Sequence, residues 1–224
     1  MWKEIINAFR HTDVVETLEG KIGEMLDAGQ WMFQQVSDLL ARKRRADALR
    51  DALYEKDRRI NQLEQEIRER IVTHLTVGNP QDLGPCLVLM SVVKDAERIG
   101  DYCKNIFEVG KFYQGEFTRP EFHGPLEEIA STIQEMFERT KTALLENDAA
   151  LAKQVIAKKG NISKSCNLLV QQLLSLEETD APAGEVVAYA LLARYYKRVE
   201  SHLSNLASSV VAPVPLLDFH EKIE

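Results

Sequence analysis

The stretch AERIGDYCKNI, at residues 96–106, recurs in altered form as YKRVESHLSNL, at residues 196–206. Asn105 of the first copy matches Asn205 of the second, and the apolar positions keep their character. A constant offset of about 100 residues is what a duplicated supersecondary unit produces. The sequence therefore predicts an internal repeat, in which the two halves of the chain share one arrangement of secondary structure.

Outward from this repeat, apolar residues recur with a period of 3.6 along nearly the whole chain, which is typical of amphipathic helices. The period predicts helices at about residues 14–42, 47–75, 82–113, 126–146, 148–177 and 184–211. Thr12 or Asp13 is the predicted N-cap of the first helix and Gly78 the C-cap of the second. Asn147 and Asp148 are predicted to form a tight turn with a cap.

Glycine and proline punctuate the chain sparsely, with 11 Gly and 7 Pro in 224 residues. These are too few for a sandwich or barrel with many turns. We expect an all-α fold of two tandem three-helix bundles related by the internal repeat. Residues 12–115 are predicted to form the first bundle and residues 120–213 a second, degenerate one. Residues 115–125 are predicted to connect them, and the tail from Pro213 to lie loose.

The charge of the chain argues against nucleic acid as a partner. The formal net charge is −7, whereas binding to phosphate backbones needs clustered Lys and Arg. A basic run, RKRR, occupies residues 42–45. It is either a solvated helix end or a docking patch for an acidic partner.

Two further features favour a cytoplasmic protein. The three cysteines, Cys86, Cys103 and Cys166, are odd in number and form no CxxC pair, which is typical of small buried thiols in a reducing compartment. No stretch approaches the ~18–20 apolar residues that span a bilayer. We therefore expect a location in the cytoplasm, peripheral to a membrane at most.

The stretch KDAERIGDYCKNIFE, at residues 94–108, resembles the signature helix of the PhoU family, the phosphate uptake regulators. EKDRRINQLEQEI, at residues 55–67, resembles the second helix of that family. The resemblance extends over both halves and is weaker in the second. It implies a non-enzymatic regulator of phosphate uptake and phosphate-starvation signalling that acts by protein–protein contact. The implied partners are the ATPase of a phosphate ABC transporter and a membrane sensor kinase.

Acidic residues of the first half are the candidate site. Glu97 and Asp101 are four residues apart, on one face of a helix and opposite its apolar stripe, so we expect them at the surface. Ordinary solvated charge would explain the pair, because such carboxylates repel by only ~0.2–0.5 kcal/mol. The resemblance instead implies a carboxylate-bound cluster of iron or zinc. Carried over by position, its ligands are Asp57, Asn61, Glu97 and Asp101, with Asp95 as a further candidate; Asn61 stands where the family has an acid.

The second half lacks these carboxylates. Lys197 and Ser201 stand at the positions of Glu97 and Asp101, and Lys159 and Ser163 at those of Asp57 and Asn61. An ammonium repels a cation at short range. We therefore expect one metal site, in the first half, and none in the second.

The motif search favours no catalytic residue. The chain has no HExxH, GxxxxGK or GxGxxG motif and no nucleophile elbow. Three alternatives remain open: an accessory protein of a sodium–phosphate cotransporter, a metal-dependent enzyme on a helical bundle, and a purely structural adaptor. A homodimer is expected, because twofold assemblies are the commonest oligomers.

Overall fold

The computed structural model describes residues 13–43, 45–78, 80–176 and 182–217. Within these residues the chain forms six α-helices and no strand, so the predicted all-α class is confirmed. The helices are α1 (Asp13–Leu40), α2 (Ala46–Val77), α3 (Leu83–Phe112), α4 (Pro120–Leu145), α5 (Ala149–Leu174) and α6 (Ala183–Ser208). No helix in the described part is long and apolar enough to cross a membrane.

The helices pack as two bundles that share one core. Helices α1, α2 and α3 contact one another, as do α4, α5 and α6, while α3 packs on α6 and α1 on α4. Phe33 lies at this junction, with ring centroids 5.8 Å from Phe137 and 5.5 Å from Tyr196. The expected tandem bundles are therefore confirmed; the domain bounds 12–115 and 120–213 stay a prediction.

Local capping signals act as the sequence predicts. Gly78 has a φ of 95° and donates its N–H to the carbonyl of His74, which closes α2 in the left-handed conformation that glycine tolerates. Asn147 has a φ of 54°, and the Asp148 side chain accepts hydrogen bonds from the first backbone N–H groups of α5. Of the two proposed caps of α1, Thr12 lies outside the described residues and Asp13 is the first residue of the helix.

The predictions for two irregular segments, the connection between the halves and the C-terminal tail, are wrong in part. Helix α4 begins at Pro120 rather than near residue 126, because a proline at the first position lacks an N–H that would have no helical partner. The tail is not loose at residues 213–217: Val214–Leu216 forms a 3₁₀ turn, and Leu217 is buried. Residues 218–224 lie outside the described residues.

The connection between the halves is fastened to the start of α6. Glu185, fully buried on α6, accepts a 2.6 Å hydrogen bond from the backbone N–H of Thr118. The Thr118 hydroxyl also lies within hydrogen-bond distance of that carboxylate, and the Tyr189 hydroxyl donates to the carbonyl of Arg119. All three cysteines are free and buried, which confirms their predicted role as small buried thiols.

Candidate functional site

Two of the predicted ligands meet where α2 and α3 lie side by side. Asp57 projects from α2 and Asp101 from α3, and both reach the ammonium of Lys104. Lys104 Nζ lies 2.9 Å from Asp57 Oδ2 and 2.9 Å from Asp101 Oδ1. The two carboxylates are therefore brought together across a lysine.

A second lysine bridges the next pair of acids along the same helices. Lys94 Nζ lies 2.7 Å from Glu97 Oε2 on α3 and 3.7 Å from Glu64 Oε1 on α2. Arg68 also approaches Glu64, at 2.9 Å. We call the four carboxylates Asp57, Glu64, Glu97 and Asp101 the acidic row. Glu64 is an addition to the predicted set.

Burial of the row differs from the prediction. Glu97 is only 8% exposed and Asp57 7%, so the expectation that Glu97 faces solvent is wrong; Asp101 remains partly exposed. A helical wheel identifies the apolar stripe of α3 but does not show which helices pack beside it. In the structure α2 packs against α3 on the flank that carries Glu97. Asn61, also predicted as a ligand, lies one turn along α2 from Asp57 and is partly buried.

Gly100 allows α2 and α3 to approach closely at the row. A Cβ at this position would lie 3.1 Å from Ile60 Cδ1 and 3.5 Å from Asp57 Oδ1. A larger residue would crowd Ile60 Cδ1, which would have to shift by a few tenths of an ångström. In the second half the repeat places Glu200 at the equivalent position, and its side chain is fully buried on α6.

Electrostatics keep the central ion pair charged at neutral pH. Burial raises the pKa of the Asp101 carboxyl, but the charges of Lys104 and Arg98 outweigh it and leave this pKa below its usual value. Burial lowers the pKa of the Lys104 ammonium, but its hydrogen bonds to Asp57 and Asp101 leave this pKa above its usual value. Each group stabilises the charged form of the other.

The arrangement of charges bears on the predicted metal. The four carboxylates of the row face four cations: Arg68, Lys94, Arg98 and Lys104. Across the described residues, no group of three or more His, Cys, Asp or Glu side chains is placed to hold a metal ion. As they lie, these side chains fit ammonium and guanidinium groups, and a metal would have to displace one of them. An iron or zinc cluster at Asp57, Asn61, Glu97 and Asp101 stays a prediction.

The equivalent region of the second half carries no acidic row. Lys197 donates a 2.8 Å hydrogen bond to Asn167 Oδ1, and Ser201 donates to the buried Glu200. The lysine and serine positions foreseen from the repeat therefore pair with neighbours in the same bundle. That this half binds no metal stays a prediction.

Asp95, the further candidate ligand, lies on the other side of α3, where the two halves meet. His202 Nδ1 lies 2.7 Å from Asp95 Oδ1, and the Asn205 amide donates to the same oxygen at 2.9 Å. The His202 ring also stacks on Tyr102. Asp95 therefore links the two bundles instead of joining the acidic row. No local motif signals this contact, because its partners are more than 100 residues away in sequence.

A cleft of about 310 Å³ opens between α1, α4 and α6. Its lining mixes acidic and basic side chains, with Asp38 and Glu127 beside Lys43 and His123. His123 Nε2 lies 3.3 Å from Glu127 Oε1, so these two side chains already contact each other. The lining therefore offers no focused charge of one sign for an ionic ligand.

Both halves of the chain match a known family. The PhoU domain family model matches residues 22–109 and 126–210. A phosphate-specific transport system accessory protein PhoU homolog of Synechocystis sp. is 26% identical over 161 residues, covering 70% of this chain and 70% of that protein. The phosphate-specific transport system accessory protein PhoU homolog 1 of Thermotoga maritima is 24% identical over 194 residues, covering 85% of this chain and 79% of that protein.

Two solved structures share the fold. PhoU from Pseudomonas aeruginosa superimposes with a TM-score of 0.73 at 22% identity, covering 94% of this chain and 97% of the other. The phosphate transport system regulatory protein PhoU from Streptococcus pneumoniae gives a TM-score of 0.71 at 18% identity, covering 93% and 96%. The resemblance of the signature helices is thus confirmed, and because the family model matches most of both halves, the chain belongs to the PhoU family.

Proposed function

We propose that this chain is a non-enzymatic regulator of phosphate transport that acts by protein–protein contact. The observation that carries the proposal is the PhoU match over both halves. Relatives that align with most of the chain are named as accessory proteins of the phosphate-specific transport system. Its direct partners would be the ATPase of a phosphate ABC transporter and a membrane sensor kinase, met at the cytoplasmic side of the membrane.

The regulator would act by differential binding. A partner that binds this chain more tightly in one of its own conformations is shifted toward that conformation, by no more than the difference in affinity. In that way one helical protein would damp both uptake and the starvation response. No step of this scheme needs a covalent reaction or a metal.

Exposed apolar side chains supply candidate contacts. Leu83 and Leu87 are 48% and 44% exposed on α3, and Val187 and Leu191 are 56% and 37% exposed on α6. Each pair is four residues apart and so lies on one helix face. Apolar side chains of this kind stabilise a contact between proteins when a partner removes them from water.

The test is a pull-down of the tagged full chain from phosphate-replete and phosphate-starved cells. We expect recovery of the transporter ATPase or the sensor kinase, in amounts that depend on the phosphate supply. Leu83→Glu with Leu87→Glu, or Val187→Glu with Leu191→Glu, should reduce recovery. The exposed Gln171→Glu with Gln172→Glu, which adds the same two negative charges on α5, should not.

Each other outcome of this experiment counts against the proposal. Recovery of a sodium–phosphate cotransporter in place of the ABC system would favour the accessory role at that carrier. Recovery of no transport or sensor component in either state would refute regulation by contact. The expected homodimer is tested separately, by light scattering of the purified chain, where a monomer at all concentrations would contradict it.

A further inference from the structure

Each lysine of the acidic row joins two helices. Lys104 bridges Asp57 on α2 and Asp101 on α3, and Lys94 is within ion-pair distance of Glu64 on α2 and Glu97 on α3. Both lysines belong to α3, three residues from the acid that they pair with on their own helix. The same geometry thus occurs twice along one helix boundary.

The buried carboxylates of the row require a positive charge. Leaving a buried carboxylate without a partner is strongly destabilising, because its hydration is lost without compensation. Asp57, Glu64 and Glu97 are each less than a tenth exposed, so this cost applies to all three. A lysine in the same chain pairs with a carboxylate at little entropic cost, because its effective concentration is on the order of mM or higher.

A metal ion entering the row would meet balanced charge. Four carboxylates already face the four cations of Arg68, Lys94, Arg98 and Lys104. A divalent ion added to this set would leave an excess of positive charge in a partly buried site, and Lys104 Nζ lies within hydrogen-bond distance of both carboxylates that would bind it. Ion and ammonium therefore exclude each other.

We propose that Lys94 and Lys104 are the built-in counter-ions of the acidic row, and that a divalent cation binds there only by displacing one of them. The native chain consequently binds such ions weakly at this place. Removal of one ammonium converts the same carboxylates into a cation site. This inference does not depend on the partner or on the regulatory role.

The test is a calorimetric titration of the chelator-treated full chain with Mn²⁺. Lys104→Met should bind Mn²⁺ at least about tenfold more tightly than the native chain, and adding Asp57→Asn should remove the gain. Lys104→Arg keeps the positive charge and should bind as weakly as the native chain. Lys111→Met is the matched control, because Lys111 is an exposed lysine of α3 that lies over the Phe112 ring, outside the row.

Three results would overturn the proposal. One is equal Mn²⁺ affinity in the native chain and in Lys104→Met. Another is a gain of similar size in Lys111→Met, which would indicate a general charge effect. The third is tight Mn²⁺ binding by the native chain that is lost in Asp57→Asn. This comparison does not depend on whether a lysine variant folds. Lys94→Met repeats the test at Glu64 and Glu97 if Lys104→Met proves unstable by circular dichroism.

Discussion

Glu200 carries a buried carboxyl group whose ionisation should control stability near neutral pH. Its side chain is fully buried on α6, where the Ser204 hydroxyl donates a 2.9 Å hydrogen bond to Oε1 and Ser201 lies near Oε2. Burial raises the pKa of Glu200 to about 7, although Ser204, Ser201 and the charges of Lys159 and Lys197 act to lower it. Ionisation of Glu200 is therefore less favourable in the folded chain than in the unfolded chain.

The magnitude follows from linkage between protonation and folding. The folded chain holds the Glu200 proton up to a pKa of about 7, whereas the ordinary pKa is 4.5. A raised carboxyl pKa costs nothing below the unfolded value, and stability is lost as pH rises from there through the folded value. At about 1.4 kcal/mol per pH unit, the full loss above pH 7 is about 3 kcal/mol.

Glu200→Gln keeps a neutral side chain of the same shape and removes this loss. We expect it to unfold in urea with nearly the native free energy at about pH 4, below the unfolded pKa, and to be more stable by about 3 kcal/mol at about pH 8. The matched control is Glu128→Gln, an exposed glutamate of α4, which should show no such pH-dependent difference. An equal effect of Glu200→Gln at both pH values, or destabilisation at the higher one, would refute the reasoning.

Other predictions concern packing, capping and the contact between the halves, and each is measured by urea unfolding. Gly100→Ala should destabilise the chain by up to about 2 kcal/mol, because the crowding of Ile60 by its Cβ outweighs the gain in helix propensity. The matched Gly160→Ala, where a Cβ meets nothing within 4 Å, should stabilise α5 by up to about 1 kcal/mol; stabilisation by both would contradict the close approach. Asp148→Ala should cost about 1 kcal/mol through the lost N-cap, and Asp148→Asn much less; equal costs would speak against capping. Asp95→Ala should cost about 1–3 kcal/mol by leaving His202 without its partner, and a neutral effect would show that this contact does not join the halves.

Features set by neighbours in sequence were predictable. The apolar period placed all six helices, and the repeat at residues 96–106 and 196–206 predicted two equivalent bundles. Gly78 and Asp148 act as the caps that their residue types favour, because a cap depends on backbone groups within a few residues. The start of α4 was missed, since prolines are compatible with both a loop and a first helical turn.

Side-chain partners were decided by the tertiary structure. The sequence placed Glu97 and Asp101 on one face of a helix, but not the helix that covers this face or the lysine that joins Asp101 to Asp57. Likewise, Asp95 meets His202 only because α3 packs on α6. Periodicity reports which face of a helix is apolar, whereas an ion pair depends on which residues of another helix come within a few ångströms, and only packing determines that.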